Sequence, residues 1–214
     1  MRKIEYVILH HSATQPVMNE SDKTGRKLAE AICRRSRIHW GKEFPLYKCD
    51  YHFLVGPEGD IFKGQDVALP SWHATNYRVN LHSIGICFLG NFQTGTMKKA
   101  QFESGVNLIR KLLHEYEIPI KNVLRHKDVV SDITGRANST LCPGKNFPFI
   151  SMLSEVSEEV FADITPSYPY YKEIAFLKKH GIVKGTDGEF RPNALATREE
   201  VALIAYRILS KLLN

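Results

Sequence analysis

The sequence predicts an α/β protein: a mixed central β-sheet flanked by helices over residues 1–155, followed by a small helical module over residues 161–214. Three observations lead there. Short apolar runs rich in β-formers recur at residues 3–9, 51–63, 83–89 and 123–125. Stretches with helical apolar spacing separate or follow them, at residues 24–40, 98–116 and 147–160. Beyond Phe161, Thr197 with Glu200 reads as a capping box opening a last helix. A chain of 214 residues with 43% hydrophobic composition has enough apolar side chains for a sizeable core.

Taken in order, residues 3–9 fit a buried strand that delivers His10 at its carboxyl end. The basic start and the apolar run after it superficially resemble a secretory leader. The run is too short for one, so a strand is the better reading. In the helix over 24–40, Leu28, Ile32 and Ile38 fall roughly on one side, with Arg34, Arg35 and Arg37 on a solvated face. Residues 51–63 read as a hairpin turning at Gly59-Asp60, and residues 64–82 as a loop holding Trp72, His73, Asn76 and Tyr77. Residues 83–89 form a continuous apolar run, as in a strand covered on both faces. Phe102, Val106, Ile109, Leu113 and Tyr116 make one helical stripe, and Pro119 follows its end. Residues 123–125 then deliver His126, and a polar loop runs on to Cys142. The last helix places Val201, Ile204, Ile208 and Leu212 in one stripe.

Composition narrows the function classes. No stretch reaches the roughly 18 consecutive apolar residues of a membrane span. The net charge of +6 favours polyanionic partners. Nucleic-acid binding would call for a dense basic stripe with stacking aromatics or a known motif, and Arg34-Arg35-x-Arg37 is the only basic cluster. Four cysteines are too few for a disulfide scaffold. Cys33 and Cys49 are therefore expected as free buried thiols, although they could pair, in a chain made in a reducing cytoplasm.

The chemistry concentrates in His10, His126 and Cys142. Neutral imidazole and thiolate suit zinc, and catalytic zinc sites take three protein ligands and leave a fourth position open. Structural sites use closely spaced pairs such as C-x2-C, which none of the four cysteines forms. Ligands from three distant segments instead require a folded domain to assemble them. His11 is the alternative to His10. Spacing alone is weak evidence, since lone histidines and cysteines are usually just packed or exposed.

Six motifs in order carry a resemblance: His10-x-Ser-Ala-Thr, Asp50-Tyr51-His52-Phe53, Trp72-His73-Ala74, Ser83-Ile84-Gly85-Ile86, Arg125-His126-x-Asp-Val and Thr140-x-Cys-Pro-Gly. Over about residues 3–150 the chain resembles the type 2 N-acetylmuramoyl-L-alanine amidases, which include phage zinc amidases and the peptidoglycan recognition proteins. That resemblance implies one zinc ion per chain on His10, His126 and Cys142. It implies Tyr51 and Thr140 as catalytic groups for proton transfer and oxyanion stabilisation, and Trp72, His73 and Asn91 on the substrate side. The substrate implied is bacterial peptidoglycan, cut between N-acetylmuramic acid and L-alanine. His52 and His82 are read as structural. Where one branch of the family carries glutamate after Ser-Ile-Gly-Ile, this chain carries Cys87. Some recognition proteins bind without cleaving, and in those the ligand cysteine is typically lost; here Cys142 is present.

The pattern from Phe161-Ala162-Asp163 through Thr197-Arg198-Glu199-Glu200 resembles one S-layer homology repeat. It implies binding of secondary cell-wall polysaccharide, with Arg198 a candidate contact to the polymer. A single short unit has little core of its own, so it is expected to pack on the larger domain or to self-associate. With no export signal recognised, the expected setting is cytoplasmic synthesis and release during phage lysis, as an endolysin. A bacterial autolysin or recycling amidase is the alternative.

Overall fold

The computed structural model describes residues 2–14, 24–41, 43–132, 135–136, 139–157, 160–165 and 168–213. The chain divides into two compact units, Met1–Ser157 and Glu158–Asn214. The first is built on a five-stranded sheet of β1 (Tyr6–His11), β2 (Phe53–Val55), β3 (Ile61–Lys63), β4 (Ser83–Phe88) and β5 (Val123–Arg125), in the order β3-β2-β4-β1-β5. β1 runs parallel to β4 and β5, β2 parallel to β4, and β3 antiparallel to β2. The sheet is thus mixed, as the sequence predicts. Every residue of β4 is buried, because a central parallel strand is covered on both faces.

Helices α1 (Arg26–Trp40), α2 (Tyr77–His82), α3 (Lys99–Glu115) and α4 (Phe149–Ser157) complete the unit. On one face Val7, Leu9, Ile84, Ile86 and Phe88 pack with Val106, Ile109 and Leu112 of α3 and Met152 of α4. Gly105 allows this approach, since a Cβ there would lie 2.4 Å from the ring of Phe88. On the other face Leu54 and Cys87 pack with Ala29 and Ile32 of α1. β1 and β5 run parallel, so the loops after them open at the same, carboxyl end of the sheet.

Four expectations for the first unit need correction. Ile38 is 71% exposed, and the buried side of α1 is Ala29, Ile32 and Ser36. A polar residue holds that third position because Ser36 Oγ donates to the Ile32 carbonyl at 3.1 Å and accepts from Asp50 N–H at 3.2 Å. Residues 64–82 are not all loop: Asn76 accepts from Val79 N–H at 2.8 Å and opens α2. The helix expected over 147–160 spans Phe149–Ser157, with Phe147 in the core before it; residues 158–159 lie outside the described residues.

The fourth correction is chemical. Cys33 and Cys49 form a disulfide rather than free thiols, with Cα atoms 4.3 Å apart. The pairing is tertiary: α1 packs against the segment entering β2, where Cys49 is fully buried. Closing a loop of 16 residues restricts the unfolded chain by about 3 kcal/mol. The thiol argument for a reducing compartment falls with it, because disulfides persist in oxidising surroundings.

The second unit has its own core of Val160, Phe161, Ile164, Tyr171, Ile174, Ile182 and Val183. It contains α5 (Tyr171–Lys179) and α6 (Arg198–Leu212). Asp163 accepts from Phe190 N–H at 2.8 Å and Arg191 N–H at 2.6 Å, tying the unit's start to the strap before α6. The predicted capping box is present: Thr197 Oγ1 accepts from Glu200 N–H at 3.1 Å, and Glu200 accepts from Thr197 N–H at 2.8 Å. The predicted stripe is not buried. Val201 is 55% and Leu212 76% exposed, and only Ile204 of the four packs on the core. Arg207 donates to the Ile182 carbonyl at 2.9 Å, so the side of α6 that faces the core is partly polar. Among the described residues no helix is long and apolar enough to cross a membrane.

Candidate active site

Strand alternation sorts the two adjacent histidines. Val7 and Leu9 face α3 and α4, and His11 follows them: its ring stacks on Phe92 at 6.2 Å, and its Nδ1 accepts from Phe92 N–H at 3.1 Å. His10 points the other way, among the rings of Tyr51, His73 and His126. His11 is therefore bound up in packing, and His10 is the residue that reaches the cluster.

His126 arrives from β5. Its ring centroid lies 4.6 Å from that of His10. The short turn it opens, His126–Asp128, is held by Arg125, whose guanidinium meets Asp128 at 2.7 and 2.9 Å and lies over the Phe149 ring at 4.9 Å. Lys127 N–H donates to the Cys142 carbonyl at 3.0 Å, which joins the two loops that carry ligands. The Cys142 loop is further fixed by Thr140, whose hydroxyl accepts from Cys142 N–H at 3.2 Å. Gly144 adopts φ +99, and a Cβ there would meet the Phe92 backbone at 2.4 Å, so this close approach requires glycine.

The result is a compact cluster: one ligand atom from each of His10, His126 and Cys142 lies within 4.8 Å of the others. Cys142 Sγ is 3.8 Å from His10 Nδ1. A tetrahedral zinc with bonds of about 2.0 Å to nitrogen and about 2.3 Å to sulfur separates those atoms by roughly 3.5 Å, so the residues fit the ion. Their protonation fits as well. Burial holds His10 well below its ordinary value, with His126, His73 and His11 adding to the effect, and burial lowers His126 to about 4. Both imidazoles are neutral near pH 7, the protonation state in which a histidine ligates a metal. Burial pushes the Cys142 thiol up to about 11, against the opposing hydrogen bond from His11 N–H at 3.4 Å, so a cation is what would make it a thiolate.

Tyr51 is half-buried, with its ring 5.1 Å from that of His10. Burial, then the neighbouring Cys87 and Cys142, raise its phenol well above the ordinary value. Cys87 stands beside His10 in the β1/β4 register, fully buried, and burial raises its thiol too.

The remaining predicted residues fall elsewhere. His73 is not on an open substrate surface: it is buried behind His10, with Nδ1 3.0 Å from His10 Nε2. Its ring lies close against Gly85, which has no side chain; a Cβ there would be 2.6 Å from it. Trp72 stacks on Tyr77 at 5.6 Å and meets Phe44 at 5.8 Å, in an aromatic patch next to His73 in the chain. Asn91 uses its side-chain oxygen on Gln93 N–H at 3.0 Å, closing its own turn. Arg198 is exposed at the start of α6, in the second unit. His52 is structural as expected, accepting from Gly85 N–H at 3.0 Å. His82 contacts the Lys3 carbonyl at 2.9 Å. Unforeseen was Arg2, whose guanidinium bonds the carbonyls of Val67, Asn80, Leu81 and Ser83 and pins the loop bearing His73. Nothing in a basic N-terminal residue signals such a role.

A five-stranded mixed sheet with a His-His-Cys triangle at the carboxyl end of its strands defines an α/β protein with a candidate metal centre. The comparisons with known proteins make this specific. Residues 1–145 match the N-acetylmuramoyl-L-alanine amidase family (Amidase_2), and the chain belongs to that family. Residues 160–202 match the S-layer homology domain. The chain is similar to peptidoglycan-recognition protein SC2 of Drosophila melanogaster, 35% identical over 144 residues that cover 67% of this chain and 70% of that protein. It is also similar to the endolysin of Enterobacteria phage T3, 30% identical over 58% of this chain and 76% of that protein. Among solved structures, the endolysin amidase LysCS from Clostridium intestinale URNW aligns with TM-score 0.55 and 25% identity, over 73% of this chain and 86% of that one. Drosophila PGRP-LB shares the fold with TM-score 0.52 and 22% identity, over 80% of this chain and 84% of that one.

Proposed function

We propose that this chain is a zinc-dependent N-acetylmuramoyl-L-alanine amidase that cuts peptidoglycan between the lactyl group of N-acetylmuramic acid and L-alanine. The observation that carries the reading is the convergence of His10, His126 and Cys142, the last with its sulfur intact. An amide is unactivated, so cleavage needs a polarised carbonyl and a nucleophile at neutral pH. Zinc supplies both, as a Lewis acid that lowers the pKa of water from about 15.7 towards about 7.

The chain's own groups supply the rest. A phenol held above its ordinary pKa stays protonated, so Tyr51 acts as a hydrogen-bond donor to the developing oxyanion rather than as a base. Thr140 shapes the Cys142 loop through its acceptor lone pair, leaving its hydroxyl proton free to point at substrate. Trp72, with Tyr77 and Phe44, offers aromatic faces for the glycan or stem peptide. Digestion of purified peptidoglycan should release new alanine amino termini and no new reducing sugars, and chelation should stop it. Reducing sugars without new amino termini would mean a glycosidase, and binding without products would mean a recognition protein.

For the biological setting, similarity to the phage T3 endolysin and to LysCS supports a lytic role on bacterial walls, with the protein reaching its substrate during phage lysis. The S-layer homology match supports a tail that holds the enzyme on secondary wall polysaccharide, with exposed Arg198 available to an acidic polymer. Every residue assigned to chemistry precedes Gly144. Deleting residues 161–214 should therefore weaken binding to intact walls while preserving zinc content and cleavage of a soluble muropeptide. Equal wall binding with and without the tail would sink the targeting role.

A further inference from the structure

We propose that His73 is a positioning residue: it fixes His10 in the tautomer that turns the Nδ1 lone pair toward the metal cluster, with Ser83 anchoring the far end of the pair. This rests on the zinc reading above. The observations are geometric. His10 Nε2 lies 3.0 Å from His73 Nδ1, and His73 Nε2 lies 3.0 Å from Ser83 Oγ. All three residues are buried.

A neutral imidazole carries one N–H and one lone pair, so the hydrogen bond on one nitrogen decides what the other presents. The two directions of the His10–His73 bond have opposite consequences. If His73 Nδ1 donated, the proton of His10 would sit on its own Nδ1, the atom 3.8 Å from Cys142 Sγ, and would block the cluster. If His10 Nε2–H donates, Nδ1 is a lone pair aimed at the site. His73 then accepts at Nδ1 and carries its own proton on Nε2, which it donates to the Ser83 hydroxyl oxygen. This second arrangement satisfies all three residues and leaves the ligand atom ready.

The fold holds the pair rigidly. Ser83 and Gly85 belong to one strand, and the His73 ring lies against the Gly85 backbone with no room for a Cβ. Asn80 clamps the neighbouring residue, accepting from Ala74 N–H at 2.9 Å and donating to the Ala74 carbonyl at 2.7 Å. The Cα partner of His10 on this strand is Cys87, so His10 pairs in register with the same strand that carries its anchor Ser83.

The test compares three forms of the full chain: wild type, H73F and H73N. Phenylalanine fills the space without an acceptor, whereas the Asn side-chain oxygen sits close to where His73 Nδ1 does and can accept. Nitrogen-15 NMR of the imidazoles reads the tautomer directly, without substrate or activity. Wild-type His10 should carry its proton on Nε2 in the metal-free protein. Zinc affinity by chelator competition should fall about 10–100-fold in H73F and recover most of that in H73N. A residue that merely fills space would lower the melting temperature of H73F and leave the zinc affinity of the folded protein unchanged, and that result would overturn the proposal. So would a proton on His10 Nδ1 in the metal-free wild type. If peptidoglycan proves not to be cleaved, both readouts still decide the role of His73.

Discussion

Replacing Cys142 with serine is expected to strip the protein of most of its zinc and to reduce amide cleavage to background. Sulfur is the one group of the cluster that could bind zinc as an anion, since His10 and His126 are held neutral by burial. Even as a thiol it needs a nearby cation to ionise, and a serine hydroxyl, far less acidic, does not ionise there. Two neutral imidazoles then remain, too few for a tight site. The fold should survive, because Cys142 is only half-buried and its loop is also tied through its carbonyl to Lys127 N–H. Metal analysis beside a peptidoglycan digest checks this, with a melting curve to confirm folding. A serine variant that keeps its zinc and its turnover would remove Cys142 from the ligand set.

Tyr51→Phe separates the metal site from the chemistry. The phenol is not among the three ligands, so zinc content should stay at the wild-type level. In the proposed reaction its hydroxyl acts on charge that develops only as the amide is attacked, and losing one such donor costs about 100–1,000-fold in kcat. The loss should appear in kcat with KM little changed, because ground-state binding does not use that proton. Normal turnover in the phenylalanine variant would make Tyr51 a packing residue of the sheet. A loss of zinc would instead show that its ring supports His10, 5.1 Å away.

Much of this protein can be read from local pattern. The apolar runs at 3–9 and 83–89 become central strands because a segment buried on both faces must be apolar throughout, whatever its neighbours are. The stripe of Val106 and Ile109 becomes the buried face of α3 for a similarly local reason, the 3.6-residue turn. Strand ends at His10 and His126 put two candidate ligands at the carboxyl end of the sheet, and Cys142 follows in a loop whose motif carried the family resemblance.

What the local pattern left open depended on partners far away in the chain. His10 and His11 are indistinguishable until the sheet has a layer of helices on a known face; the pleat then sends one to the cluster and the other to Phe92. His73 reads as a surface loop residue until Gly85, Ser83 and His10 close around it. Cys33 and Cys49 pair because α1 packs beside the entry to β2, a distance that no spacing rule contains. The stripe on α6 has sound helical period, yet the small core of its unit covers only Ile204 of the four. Periodicity states that a face is apolar, and only the tertiary structure states whether anything covers it.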